Sequence, residues 1–297
     1  MRSHRLSVVT PYRLDLTVSA LRRLSTNVVD RFTSDGRYLR ALDGEHPVVV
    51  EVRQVRRDRL AVTLHGASRG DRAALATVRR MLGVDRDLDR FARSARRIAW
   101  LAPLAQRMRG VKPPRYPTLW EACVNAVVFQ QLSVVAASAI TGRLVTRLGI
   151  PVAFGEERLY VFPSPDAFQA ARDRPLLAIG LSAGKLATLR RAADAIGSGR
   201  LDAPALEALP SEEAAAVLRT VKGIGPWSAA LILLRGFGRL DVFPAADTSV
   251  ARNLALVRGA RDIRAALDAL GQDRGMVYYH LLLARLESRG DLGRPSP

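Results

Sequence analysis

Between Ser211 and Arg235 two amphipathic helical patterns are separated only by Lys222-Gly223-Ile224-Gly225-Pro226. A link this short folds the second helix back on the first. Ser211 is the expected N-cap, with Glu212 and Glu213 in the first turn, where the helix dipole favours negative charge. Pro226 suits the first position of the second helix, because its missing N–H has no helical partner there anyway. Gly223 and Gly225 let the backbone approach another group closely, and Ile224 between them pins the turn into the core. The N–H groups at the start of the second helix form an anion site. The pattern over 211–235 therefore predicts a helix–hairpin–helix that grips a phosphate backbone without reading bases, with an ordinary tight turn as the alternative.

The rest of the chain divides near residue 110. Before it, side chains alternate with period two: Leu60, Val62 and Leu64 against Ala61, Thr63 and His65, and Val48, Val50 and Val52 against Val49, Glu51 and Arg53. Arg37 to Leu42 is a third strand, and Asp43 to Pro47 is a turn. Helices are expected over Leu16 to Leu24, Asp71 to Leu82 and Asp87 to Ala99. The breaker-rich stretch Arg109 to Pro117 ends this part. Beyond it Thr118-Leu119-Trp120-Glu121 predicts a capping box, with Glu121 reaching back to a free N–H, followed by the apolar stripe Trp120, Val124, Val127 and Val128. Helical patterns then continue to Ser288. The expected fold is an antiparallel α+β layer over 1–110 followed by an all-α helical bundle over 111–297.

The chain carries 46 Lys plus Arg against 28 Asp plus Glu, a net charge of +18. Such a balance points to a polyanionic partner, nucleic acid first. Only Lys112, Lys185 and Lys222 are lysines, so GC-rich codons would explain the arginine equally well. Cys123 is the single cysteine, which excludes an intramolecular disulfide, a zinc ribbon and a four-cysteine iron–sulfur cluster. The four histidines have no ligand spacing. No apolar run approaches the ~20 residues of a membrane span, and no signal segment is evident, so a cytoplasmic protein with no membrane partner is expected.

Twelve positions after Arg235 lies Asp247, at the head of the helix that begins with Thr248. Helix N–H groups keep a carboxylate there ionised, and helix capping alone would also account for it. Taken together, Leu218 to Ala229 and Asp247 resemble the helix–hairpin–helix superfamily of DNA glycosylases, most closely the 3-methyladenine DNA glycosylase II family. Val127-Val128-Phe129-Gln130-Gln131-Leu132-Ser133 is similar to that family's glutamine-containing turn. Phe162-Pro163-Ser164-Pro165, Gly180-Leu181-Ser182 leading to Lys185, and Pro11-Tyr12 also fit its pattern.

The resemblance implies a monofunctional enzyme that hydrolyses the N-glycosidic bond of alkylated purines in double-stranded DNA during base excision repair. It implies a monomer that needs no cofactor and no metal, with a monovalent cation held by the backbone carbonyls of Val221 and Gly223 as an optional feature. Asp247 falls on the catalytic aspartate, and Leu132 on the wedge that fills the stack when a nucleotide is flipped out. Gly223, Ile224 and Gly225 fall on the phosphate grip. Trp227 lines the base pocket at the place where bifunctional members carry a Schiff-base lysine; Lys222 lies five residues too early. Gln131, read as a buried amide continuing its helix face, serves the pocket or ties a loop. Leu231, Leu282 and Ala20 stand where aromatic residues are familiar, which leaves the pocket poor in rings. The competing readings are a non-catalytic duplex-binding module, in which Asp247 is only a cap, and a glycosylase for another damaged base.

Overall fold

The computed structural model describes residues 1–44, 46–66, 70–245, 248–260 and 263–293. Five antiparallel strands form the N-terminal sheet: β1 (Arg2–Ser7), β2 (Arg31–Phe32), β3 (Tyr38–Leu42), β4 (Val48–Arg56) and β5 (Arg59–His65), in the order β1-β5-β4-β3-β2. The two edge strands escape a reading by periodicity. β1 is Arg-Ser-His-Arg-Leu-Ser with only Leu6 buried, and β2 is two residues long. Between β1 and β2 lies α1 (Leu14–Arg22), buried along its whole length. Three helices follow the sheet: α2 (Asp71–Met81), α3 (Asp89–Ala95) and α4 (Leu101–Arg107).

The second part is built around α5 (Leu119–Val128), buried on every side and packed against α9 (Ala183–Gly197) and α12 (Pro226–Gly236). Thr118 caps α5, its Oγ1 accepting from the Glu121 N–H at 3.1 Å. The reciprocal half of the expected capping box does not form. The Glu121 carboxylate instead meets the Arg40 guanidinium, which also donates to Asp30 at 2.7 Å. All three side chains are buried, so this cluster ties β3 of the sheet to the first turn of the central helix. Burial pushes the Glu121 carboxyl up to about 7 against the pull of Arg40, with the Asp30 charge adding to the rise.

Helices α6 (Val134–Leu148), α7 (Pro165–Ala170), α8 (Asp173–Ala178), α10 (Ala203–Ala208), α11 (Ser211–Arg219), α13 (Thr248–Leu254), α14 (Ile263–Leu270) and α15 (Gly275–Ser288) complete this part. The expectation of helices alone is corrected at one place. A hairpin of β6 (Ile150–Phe154) and β7 (Glu157–Val161) interrupts the bundle. Its Leu159 and Val161 pack on Leu39, Ala41 and Val49, the face of the first sheet that points away from the main core. That contact explains why Val48, Val49 and Val50 are all buried rather than alternating. The hairpin's short strands, with Pro151 in one and Glu157 and Arg158 in the other, carry little local strand signal. No helix of the described residues is long and apolar enough to cross a membrane.

Candidate active site

The helical hairpin forms, with local differences from the sequence reading. The first helix begins at Ser211 with no side-chain cap; Pro210 occupies the N-cap position, and the Ser211 hydroxyl faces Arg239 Nη1 at 3.3 Å. Pro226 opens α12 as expected, and no side chain caps its N-terminus. Ile224 is buried. The two glycines differ in kind. Gly223 has φ 103°, and a Cβ there would sit 2.0 Å from Thr188 Oγ1, so no other residue fits. Gly225 has ordinary dihedrals, and a Cβ there would meet nothing within 4 Å. What Gly225 provides is open space over the start of α12. The Val221 and Gly223 carbonyls proposed for a cation each already accept a hydrogen bond, from the Ile224 N–H at 2.9 Å and from Gln130 Nε2 at 3.0 Å.

Beside the hairpin, the link from α5 to α6 makes a tight turn. Gln131 adopts φ 55°, which ends the helical periodicity one residue before it. Gln131 is therefore exposed, which corrects its reading as a buried amide. Its neighbour Gln130 does the tying: Nε2 donates to the Gly223 carbonyl and to Ser228 Oγ at 2.8 Å. Lys185 Nζ donates to the Val128 and Gln130 carbonyls at 2.8 Å each, capping the end of α5. Burial lowers the pKa of that ammonium. With the turn held from both sides, Leu132 projects at its tip, 38% exposed. A large aliphatic side chain held in water on a braced turn is not a core residue.

Hairpin and turn border a cavity of about 500 Å³. Gln131, Leu132, Gly223, Gly225, Trp227, Leu231 and Leu282 all line it, so the structure gathers these predicted residues in one place. Ile224 stays in the core beneath, and Ala20 is buried away from the cavity. Asp247 lies outside the described residues; the helix that follows it, α13, contributes Arg252 and Asn253 to the wall. Three contributors were not legible in the sequence. Phe129 and Tyr278 add two rings, so the pocket is less poor in aromatics than expected, and Arg23 enters from the end of α1. Phe129 lies within the glutamine-containing motif Val127 to Ser133, so a ring beside the turn is a signal the sequence carries. Trp227 Nε1 is buried with no hydrogen-bond partner among the described residues. A larger cavity of about 1330 Å³, lined by Arg40, Trp120 and Phe237 among others, contains none of the predicted site residues, so size alone does not mark the site. Among the described residues no group of His, Cys, Asp and Glu could hold a metal ion.

Residues 124–269 match the model of the HhH-GPD superfamily of base excision DNA repair proteins, a span that contains the turn, the hairpin and α13. Over that span, just under half of its length, the chain is similar to this superfamily. One relative is the probable bifunctional transcriptional activator/DNA repair enzyme AlkA of Mycobacterium tuberculosis, 33% identical over 175 residues, which are 59% of this chain and 34% of that protein. The chain thus spans about a third of that relative's length. DNA-3-methyladenine glycosylase 2 of Escherichia coli is 32% identical over 149 residues, 48% of this chain and 50% of that one. The fold is that of 3-methyladenine DNA-glycosylase from Archaeoglobus fulgidus, with TM-score 0.80 at 22% identity over 96% of this chain and 99% of that one.

Proposed function

We propose that this chain is a monofunctional DNA glycosylase that removes alkylated purines of the 3-methyladenine and 7-methylguanine type from duplex DNA. The observation that carries the reading is the placement of exposed Leu132 and the open-faced Gly225 on the rim of one ring-lined cavity. The hairpin holds the backbone through the N–H groups at the start of α12. Leu132 enters the stack as the nucleotide leaves it, at a cost of a few kcal/mol to the duplex. The cavity, at about 500 Å³, has room for a purine between its walls.

The bond from the sugar to the base nitrogen then breaks, and its electron pair departs with the base. Methylation at N3 or N7 makes the purine cationic and eases that departure. Asp247, next in sequence to the α13 residues that lead to the cavity wall, supplies negative charge to the oxocarbenium sugar. Water adds to the sugar carbon and loses a proton. Trp227 stands where a lyase would need a lysine, so no imine forms and the strand stays intact. The test is incubation of a methylated duplex with the protein, followed by identification of the free base and a borohydride trap. Free 3-methyladenine without a covalent adduct is the expected result. A trapped adduct overturns the monofunctional reading, and binding without base release favours the non-catalytic module.

A further inference from the structure

Arg23 is a side chain of the cavity wall that the reaction does not call for. It directly follows α1 with a positive φ of 64°, and it is 3% exposed. Its guanidinium carbon lies 3.9 Å from the centroid of the Phe129 ring, so one face of that ring is already covered by a cation. Nη2 reaches the Tyr278 hydroxyl at 3.4 Å, and Nη1 is buried with no partner among the described residues. Trp227 Nε1, in the same wall, is a second buried donor with no acceptor among the described residues. Arg285 and Arg289 also line the cavity.

Two physical consequences follow. An arginine cannot lose its charge in a protein. A cationic base is normally held against an electron-rich ring face, but here the Phe129 face is occupied and the occupant repels a second cation. A buried donor without an acceptor is costly, so an uncharged base that presents a carbonyl oxygen gains what a base without one does not. Building on the glycosylase reading above, we propose that Arg23 is a specificity-determining residue that weights the pocket against cationic N3- and N7-methylpurines and toward uncharged purine lesions bearing a carbonyl. Cationic bases are still released, because their intrinsic lability favours departure.

The experiment measures single-turnover release of hypoxanthine and of 3-methyladenine from otherwise identical duplexes, for the unaltered chain and for Arg23→Gln. Intrinsic lability cancels when the ratio of the two rates is compared between proteins. Neutralising Arg23 is expected to raise the ratio of 3-methyladenine to hypoxanthine release by roughly tenfold or more. An unchanged ratio in a folded variant overturns the proposal. If Arg23→Gln does not fold, Arg23→Lys carries the test, because it keeps the charge but loses the planar fork. That variant is expected to keep 3-methyladenine release within about threefold of the unaltered chain while hypoxanthine release falls. A tenfold rise in 3-methyladenine release by Arg23→Lys overturns the role of the charge. Absence of any base release by the unaltered chain is a different result, and it overturns the glycosylase reading together with this one.

Discussion

Leu132, Asp247 and His280 show three ways in which a single side chain is tested. Leu132→Ala removes an exposed side chain, so the melting temperature should hardly move. Excision from intact duplex should fall more than excision from single strands or mismatched sites, where opening is already cheap. Equal loss on all three substrates would argue against a wedge. Asp247→Asn keeps shape and capping ability. Excision should fall by roughly 10²–10³ with duplex affinity retained, as for comparable electrostatic deletions; single-turnover base release and binding on the same variant decide it. His280 is buried against Phe91, with Nδ1 2.8 Å from the Met276 carbonyl, and burial lowers it to about 4. Its folded value lies below the unfolded one, so the unfolded chain binds the extra proton between about pH 4 and 6.5 and stability falls as the pH drops through that window. His280→Leu should reduce the loss between pH 7.5 and 5 by about 2 kcal/mol, measured by urea melts at each pH. An unchanged acid limb would mean that the ring is not held neutral.

At the scale of elements, the hairpin separates two roles that one residue type plays. Gly223 is demanded from inside, by its left-handed φ and by Thr188. Gly223→Ala should therefore cost about 2 kcal/mol or more in a denaturant melt, the sum of backbone strain and a forced shift of Thr188. Gly225→Ala should leave that melt unchanged, since its dihedrals are ordinary and its surroundings open. Its methyl group would stand over the start of α12, and one lost charge-assisted hydrogen bond to phosphate weakens duplex binding by roughly tenfold. Gly225→Ala with full affinity would show that the backbone of this turn does not touch DNA. The turn from 130 to 133 depends on the same hairpin, because Gln130 is tied to Gly223 and Ser228.

Over the whole molecule, charge and topology act together. A net charge of +18 favours a polyanion, and the arginines at the cavity mouth put part of it beside the hairpin. Each phosphate neutralised on duplex DNA should contribute about −0.9 to the slope of log K against log salt, so a grip on three phosphates gives about −3. Filter binding across a salt series measures it, and a slope near zero would exclude backbone contacts as the source of affinity. Topology closes the site from both ends of the chain. Helix α15 packs against α1, and Arg235 of α12 donates to the Ala20 and Leu21 carbonyls at 2.9 Å. This places Arg23 next to Tyr278, 255 positions later in sequence.

Local chemistry made much of this legible from the chain alone. Thr118, Ser133, Ser164 and Ser182 cap helices through their own hydroxyls, and Pro226 opens α12, because such preferences involve only residues within one turn. The hairpin, the exposed wedge candidate and the cavity positions of Trp227, Leu231 and Leu282 were readable with the help of a family pattern. Tertiary structure decided what periodicity cannot carry. Gln130 rather than Gln131 ties the turn, because a helical pattern stops predicting direction where φ turns positive. Glu121 left its cap for Arg40, because a buried guanidinium needs carboxylates more than a helix start needs one more acceptor. Hairpin β6–β7 is stabilised by a sheet face some 110 residues away, and Arg23 meets Phe129 and Tyr278 only once α1, α5 and α15 have packed. Contacts between distant segments leave no mark on local sequence, and these are the contacts that shaped the cavity beside the hairpin.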